Sequence, residues 1–571
     1  MTMSPDELSR RLNDEVHYLE CCFQKQTAWV LCRIANRYQL LNYQKHSLQE
    51  VSLPDQPRSQ LNGYGGRCLG VHPDGVWLLA TRGLYVCREK TWHLLYSLAK
   101  DEVIGDGCWH VKLNLWVGVL ERGEVQSIIV IEGQTGRLIE WLKGADFYAS
   151  PQFNDQGTEL RWVEWDHPHM SWDESRLMGA DVKSLSLTNV RKVFHQPKVS
   201  VVGPKFTQGH WWCIHDESGY WGIYQDPFQE LVSERGYDFS RPQWVFDQPL
   251  YGFYQHDLYC LTIQNAQDVV VKGKPNEEKT SIFDPSMTVA TFDVSDQGLV
   301  CCAKGVSRQS GVYYLSDQDE IQCLAGGESI QTGVDVHEIR HEGVVSWLWW
   351  PQEISSATLI LKVHGGPTAM VTPEFDWKRQ FWLANGFAFL EVNYKGSSGF
   401  GRLYRDQLYG RWGELDVEHC CEVLYQVRNK FNVSAVIAKG GSAGGMTALL
   451  MAINHPSVID AVSCYYPVTS RQSLEITHRF EKHYCDRLIS SRVSMPEECV
   501  KQLSQPIFIC QGTDDSVVDV GQTRRFIKHL RRHNSSCEYH ELEGEGHGFK
   551  DPNKVVKVLS KELSFYRRYL P

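Results

Sequence analysis

Residues Gly440-Gly441-Ser442-Ala443-Gly444 put a serine at the centre of a G-x-S-x-G pentapeptide. A short apolar run, Val436 to Ala438, precedes it, and a helical pattern begins at Met446. A serine on a sharp strand-to-helix turn takes strained backbone angles, and side chains two positions to either side would collide. Glycine at 440 and 444 removes that collision. A serine hydroxyl is a poor nucleophile at neutral pH, so it needs a base and a third group to orient the base. Two later loops offer both. Ile507 to Cys510 runs into Gln511-Gly512-Thr513-Asp514-Asp515, and Tyr539 to Leu542 runs into Glu543-Gly544-Glu545-Gly546-His547-Gly548. Ser442, an aspartate at 514 or 515, and His547 therefore stand in the order nucleophile, acid, histidine, each just after a strand. Acyl transfer also needs two N–H donors for the developing oxyanion. Ala443 offers one. The loop His364-Gly365-Gly366-Pro367 offers the other, with Gly366 as the expected donor and His364 shaping the loop rather than acting as a base.

The elements that position these residues are legible as a change of pattern. From Ala357 the order is strand, helix, strand, helix. Strands are expected at Thr358 to Val363, Phe387 to Val392, Ile507 to Cys510 and Tyr539 to Leu542. Helices are expected at Trp377 to Asn385, Asp416 to Lys430, Gln522 to Arg532 and Val555 to Tyr569. Such alternation predicts a mostly parallel, doubly wound sheet covered by helices on both faces. Upstream, short apolar runs follow turn signals, as at His72-Pro73-Asp74-Gly75, Asn154-Asp155-Gln156-Gly157 and Ser295-Asp296-Gln297-Gly298. Irregular repetition of this kind predicts a β-propeller, with one or two unrelated β-sandwiches as the competing architecture. The expected division is a propeller over residues 1–335 and a catalytic domain over 336–571.

A chain of 571 residues is too long for one core. Its 58 Lys and Arg against 69 Asp and Glu give a net charge of −11, which argues against a nucleic-acid surface. No apolar run approaches the roughly 20 residues that span a bilayer. The N-terminus has no apolar core of a signal peptide. The 18 cysteines include adjacent pairs at Cys21-Cys22, Cys301-Cys302 and Cys420-Cys421 but no C-x-x-C, which disfavours a zinc ribbon. They read as small core residues of a cytoplasmic protein. No metal or cofactor is expected, and the partner is a small substrate rather than a membrane.

Further motifs surround the triad candidates. They include Asn393-Tyr394-Lys395-Gly396-Ser397-Ser398-Gly399-Phe400-Gly401, Gly410-Arg411-Trp412-Gly413 and Thr477-His478-Arg479-Phe480-Glu481. With Gly440 to Gly445, Gly544 to Phe549 and His364 to Pro367, they resemble the prolyl oligopeptidase family of serine peptidases, in its acylaminoacyl-peptidase and dipeptidyl-aminopeptidase-like branch. The likeness is patchier upstream, at Tyr64-Gly65-Gly66 and Trp162-Val163-Glu164-Trp165-Asp166-His167-Pro168. The resemblance implies an α/β-hydrolase domain with an N-terminal propeller of seven blades that limits access to short peptides. It implies Ser442 as nucleophile and His547 as general base and acid, with Gly366 and Ala443 as oxyanion donors. The family's acid follows the loop glycine, here Gly512, by three residues, which selects Asp515. Two departures stand out. Asp519-Val520 occupies a place where that branch usually has prolines, and the short N-terminal half makes the first blade look compressed.

Specificity is less legible. An aminopeptidase needs acids to hold a substrate ammonium, and the segment from Glu164 to Glu174 is rich in them, so Glu164 and Asp166 are candidates. Tyr465 and Tyr466 follow a strand after the nucleophile helix and are candidates for a substrate pocket. The leading expectation is a peptidase for short peptides of the aminopeptidase, dipeptidyl- or acylaminoacyl-peptidase type. The competing one is an esterase or amidase acting on a small acylated metabolite. Monomer and homo-oligomer both remain open.

Overall fold

The computed structural model describes residues 2–570 except 26, 45–46, 233–235, 276, 278, 296–297, 316–319 and 476–477. Asp296 and Gln297 of one expected turn, and Thr477 of one motif, lie outside the described residues. Two compact units emerge, Val16–Ser329 and Met1–Glu15 together with Ile330–Pro571.

In the first unit the described residues form seven four-stranded sheets, over residues 16–51, 69–97, 102–143, 147–194, 201–232, 251–281 and 287–326. Each is an antiparallel meander whose strands follow chain order, the arrangement of a seven-bladed β-propeller. The first strand, Val16–Gln24, lies against the seventh sheet and against the first strand of the second, which closes the ring by packing. Turn chemistry sets the local register. His72 pairs with Gly75 across Pro73-Asp74, and a Cβ on Gly75 would lie 2.4 Å from the Cys87 carbonyl oxygen. Two blades share a further device. Trp77 covers Gly70 and Trp116 covers Gly107, where an added Cβ would sit 2.3 and 2.1 Å from the indole rings. Close approach of backbone to a large flat ring there requires glycine.

The compressed first blade expected from the sequence is not found. That sheet has four strands of 9, 8, 8 and 5 residues. Short strands lie instead in the fifth and sixth sheets, at Gly222–Gln225, Gln229–Val232, Tyr251–Tyr254 and Thr280–Ser281.

The second unit is built on one eight-stranded sheet. Its strands are β1 (Val334–His341), β2 (Val344–Pro351), β3 (Ala357–Val363), β4 (Phe387–Val392), β5 (Val433–Gly441), β6 (Ala461–Tyr465), β7 (Ile507–Gly512) and β8 (Cys537–Leu542). The spatial order is β1-β2-β4-β3-β5-β6-β7-β8. From β4 to β8 the pairing is parallel, and β1 and β2 are antiparallel. This is an α/β-hydrolase sheet. Residues 359–361 and 435–440 are buried without alternation, as befits strands covered on both faces. The helices that matter below are α1 (Pro5–Asp14), α2 (Trp377–Ala384), α3 (Leu415–Lys430), α4 (Ala443–Asn454), α5 (Val520–Leu530) and α6 (Pro552–Tyr569).

Helix α1 differs from the expected division, which grouped everything before residue 335 with the propeller. Ser4 caps α1 by accepting from Glu7 N–H at 3.1 Å, and Leu8 and Leu12 are buried. The helix packs on α6 and α2, with the Arg11 guanidinium 4.9 Å from the centre of the Trp377 ring. The first fifteen residues therefore belong to the catalytic unit.

Candidate active site

Ser442 stands between β5 and α4 at φ 54°, ψ −124°. A left-handed angle at a non-glycine residue is strained, and here the neighbours hold it. Ser442 N–H donates to the Tyr465 carbonyl at 3.0 Å, while the Ser442 carbonyl accepts from Gly445 N–H at 3.0 Å. A Cβ on Gly440 would lie 2.1 Å from the Gly444 carbonyl oxygen, and one on Gly444 would lie 2.4 Å from the Val363 carbonyl oxygen. Both glycines are thus required by close backbone approach. The helix starts at Ala443, three residues before the expected Met446, because small residues carry no amphipathic signal that would mark its first turn.

The His364 to Pro367 loop, at the end of β3, reaches the serine. A Cβ on Gly365 would be 3.2 Å from the Gly441 carbonyl oxygen and 3.7 Å from Ser442 Cβ. Gly366 has φ 117°, a conformation that side chains rarely adopt. His364 is a scaffold residue. Its Nε2 is 2.8 Å from Ser397 Oγ, and its ring stacks on Tyr394 at 4.2 Å. Burial pulls its pKa down to about 4, which keeps the imidazole neutral. Tyr394 Oη donates to the Pro367 carbonyl at 3.0 Å and fixes the far side of the loop. Tyr394 and Ser397, from the motif after β4, thus shape the loop beside the serine.

His547 and Asp515 meet. His547 Nδ1 lies 3.0 and 3.1 Å from the two Asp515 carboxylate oxygens. The Asp515 side chain has no exposed surface. Oδ1 accepts from the N–H groups of Val517 and Val518, each at 2.9 Å, and Oδ2 accepts from Gln511 Nε2 at 3.0 Å. Asp514 turns elsewhere, accepting from the Thr513 hydroxyl at 2.9 Å. Of the pair left open by spacing, only Asp515 reaches the histidine among the described hydrogen bonds. Gln511 is a residue that sequence reading passed over. It orients Asp515 and accepts from Thr523 Oγ1 at 3.0 Å. The available signal was a polar residue ending an otherwise apolar strand.

The Tyr465-Tyr466 expectation divides. The Tyr466 ring lies 4.5 Å from the His547 ring, at a residue with φ 39°. The Tyr465 side chain joins a buried cluster instead. Its hydroxyl donates to Glu562 on α6, which also holds Lys439, Ser463 and Tyr566. Glu562 is fully buried, so Tyr465 anchors β6 to α6. The carboxylates proposed for a substrate ammonium are also committed. Asp166 Oδ2 pairs with Arg176 at 2.6 Å and Glu164 Oε1 pairs with the same guanidinium at 3.3 Å. Glu164 further accepts from Trp162 Nε1 at 2.9 Å, and Asp166 from Asp146 N–H at 2.9 Å. Arg176, which faces them across neighbouring strands, was not anticipated, and it makes these acids structural within the fourth sheet.

Residues 373–571 match the prolyl oligopeptidase family. Among curated proteins, the chain is 24% identical over 373 residues to dipeptidyl aminopeptidase BIII of Pseudoxanthomonas mexicana, covering 60% of the chain and 52% of that relative. It is 26% identical over 231 residues to dipeptidyl peptidase family member 6 of Caenorhabditis elegans, covering 37% and 31%. The chain thus spans about half the length of the first relative and about a third of the second. Among solved structures, a puromycin-hydrolyzing peptidase of Mycobacterium tuberculosis superposes with a TM-score of 0.89 at 23% identity, covering 99% of this chain and 96% of that one. An acylaminoacyl peptidase superposes with a TM-score of 0.77 at 14% identity, covering 100% and 98%. These likenesses establish a prolyl oligopeptidase fold, propeller and hydrolase sheet together. No helix among the described residues is long and apolar enough to cross a membrane.

Proposed function

We propose that the chain is a serine peptidase acting on short peptides near their amino-terminal end, of the dipeptidyl-, aminoacyl- or acylaminoacyl-releasing kind. The observation that carries this reading is the His547–Asp515 hydrogen bond, in the same unit as a serine strained at a strand-to-helix turn. The names of the relatives, dipeptidyl aminopeptidase and acylamino-acid-releasing enzyme, support the substrate class.

In this mechanism His547 Nδ1–H is held by Asp515, which leaves Nε2 to take the Ser442 proton as the oxygen attacks an amide carbonyl. The tetrahedral oxyanion is met by the N–H groups of Ala443 and Gly366, aided by the N-terminus of α4. His547 then protonates the leaving amine, the amide bond breaks, and water releases the acyl group from Ser442 by the same route. Loss of one oxyanion donor in such a site costs roughly 10²–10³ in kcat. A cytoplasmic location fits the six thiols of the adjacent cysteine pairs, all buried and none in a disulfide.

The test is a panel of fluorogenic aminoacyl, dipeptidyl and N-acetyl-aminoacyl amides with one simple ester, run on the native chain and Ser442→Ala. Cleavage of at least one amide, falling by roughly 10⁶ in the variant, is expected. Turnover of the ester alone would replace the peptidase reading with an esterase. Amide cleavage that survives in Ser442→Ala would overturn the assignment of the nucleophile.

A further inference from the structure

Apart from the triad residues, three potential metal ligands converge in the catalytic unit. His341 ends β1. His419 and Glu422 lie three residues apart on α3, and so share a helix face. One ligand atom from each falls within 4.8 Å of the other two. His341 Nε2 is 3.1 Å from Glu422 Oε2. Ligand atoms around a tetrahedral zinc, at bonds of about 2.0–2.2 Å, are roughly 3.4 Å apart, so small side-chain rotations close this set on an ion.

A further observation points to a ligand. His419 is 1% exposed, yet neither ring nitrogen has a hydrogen-bond partner among the described residues. Buried polar atoms are rarely left so, and a histidine present only for packing is an expensive choice at such a position. The His341 ring stands 5.0 Å from it. The other nitrogen of His341, Nδ1, is 2.6 Å from Gln426 Nε2. Gln426 lies one turn beyond Glu422 on the same face. As placed, the amide N–H donates to Nδ1; turned about its terminal bond, the amide presents its oxygen to Nδ1–H and leaves Nε2 for a metal, an outer-layer contact common around metal-bound histidines. Lys395, a cation that acts on His419, is already paired with Glu342 at 2.8 Å.

We propose that His341, His419 and Glu422 bind one divalent transition-metal ion of the zinc class. Two imidazole nitrogens and one carboxylate oxygen suit such an ion, and the exposed side of Glu422 leaves its remaining position to water. The bound ion clips the edge strand β1 to α3. It therefore stabilises the folded chain by RT ln(1 + c/Kd), where c is the ion concentration, a logarithmic dependence. This inference is independent of the peptidase reading.

The experiment uses the full-length, tag-free chain stripped with a chelator. Zinc binding is followed by calorimetry and thermal melting, and cobalt(II) serves as a visible stand-in. One ion per chain is expected, with a cobalt spectrum of nitrogen and oxygen ligands and a zinc-dependent rise in Tm. Glu422→Gln changes an exposed group and His341→Gln a half-buried one, and each should lower affinity at least tenfold while circular dichroism stays native. Gln426→Leu should lower it about tenfold to a hundredfold. No saturable binding would overturn the proposal. So would stoichiometric binding left unchanged in both His341→Gln and Glu422→Gln, since the ion would then lie elsewhere.

Discussion

Asp515 and Asp514 are neighbours of one chemical type, and the structure gives them unlike work. Asp515 is enclosed, with donors from His547, Gln511, Val517 and Val518 arranged around its two oxygens. Asp514 holds a threonine hydroxyl at its own turn. In the proposed mechanism Asp515→Asn fixes the wrong tautomer of His547, so kcat/KM on a cleaved amide should fall by about 10⁴. Asp514→Asn should stay within a few-fold of the native chain. Equal losses in the two variants would show that the loop, not the carboxylate, matters. The other residue-scale outcome concerns polar side chains expected at a substrate. Glu164, Asp166 and Tyr465 all have protein partners, and the main ones, Arg176 and Glu562, come from other strands or helices. Residue type and spacing showed chemistry-bearing groups, but not who would neutralise them.

Among elements, the join between α3 and α4 is the one on which the nucleophile depends. Asp416, in the first turn of α3, is fully buried and accepts from Gly413 N–H at 2.6 Å and from Thr447 Oγ1 of α4 at 2.5 Å. Burial raises its carboxyl from 3.8 to about 6, against those hydrogen bonds, which lower it. The folded value lies above the unfolded one. Its contribution to stability is therefore full below about pH 4 and lost as pH rises through about 6, a change of about 3 kcal/mol. Urea unfolding at pH 4, 5, 6 and 7 should show that loss, and Asp416→Asn should flatten it. An unchanged slope in the variant would assign the titration to another group. Most elements of this unit were legible because their apolar runs are long. The first turn of α4 was not, since Ala443-Gly444-Gly445 has no pattern to read, and only the angle at Ser442 sets where the helix begins.

For the molecule as a whole, the cysteines give a measurable signature. Cys323 is exposed and Cys108 half-buried, while pairs such as Cys301 and Cys302 lie within the blades. Burial holds the thiols of Cys301, Cys420 and Cys485 well above the ordinary cysteine range, so they stay protonated and inert. Thiol titration of the native chain should report one fast-reacting group, lost in Cys323→Ser, and all 18 thiols after denaturation. Fewer than 18 in the denatured, unreduced protein would mean disulfides and would overturn the proposed reducing compartment.

What the amino-acid sequence determined by itself was local and periodic. Alternation of strand and helix patterns called for a parallel sheet, turn signals called for small antiparallel sheets, and glycines at 440 and 444 marked a turn that no side chain can share. Those features rest on short-range sterics and on the pairing of hydrophobic period with element type. Tertiary structure alone decided which aspartate faces His547, that Tyr466 and not Tyr465 stands beside it, and that Arg176 neutralises Glu164 and Asp166. It also decided that the first fifteen residues fold with the last helix. Each of those outcomes depends on which side chains meet across strands and helices distant in sequence. Such meetings are set by the packing of a whole unit, and no window of sequence contains both partners.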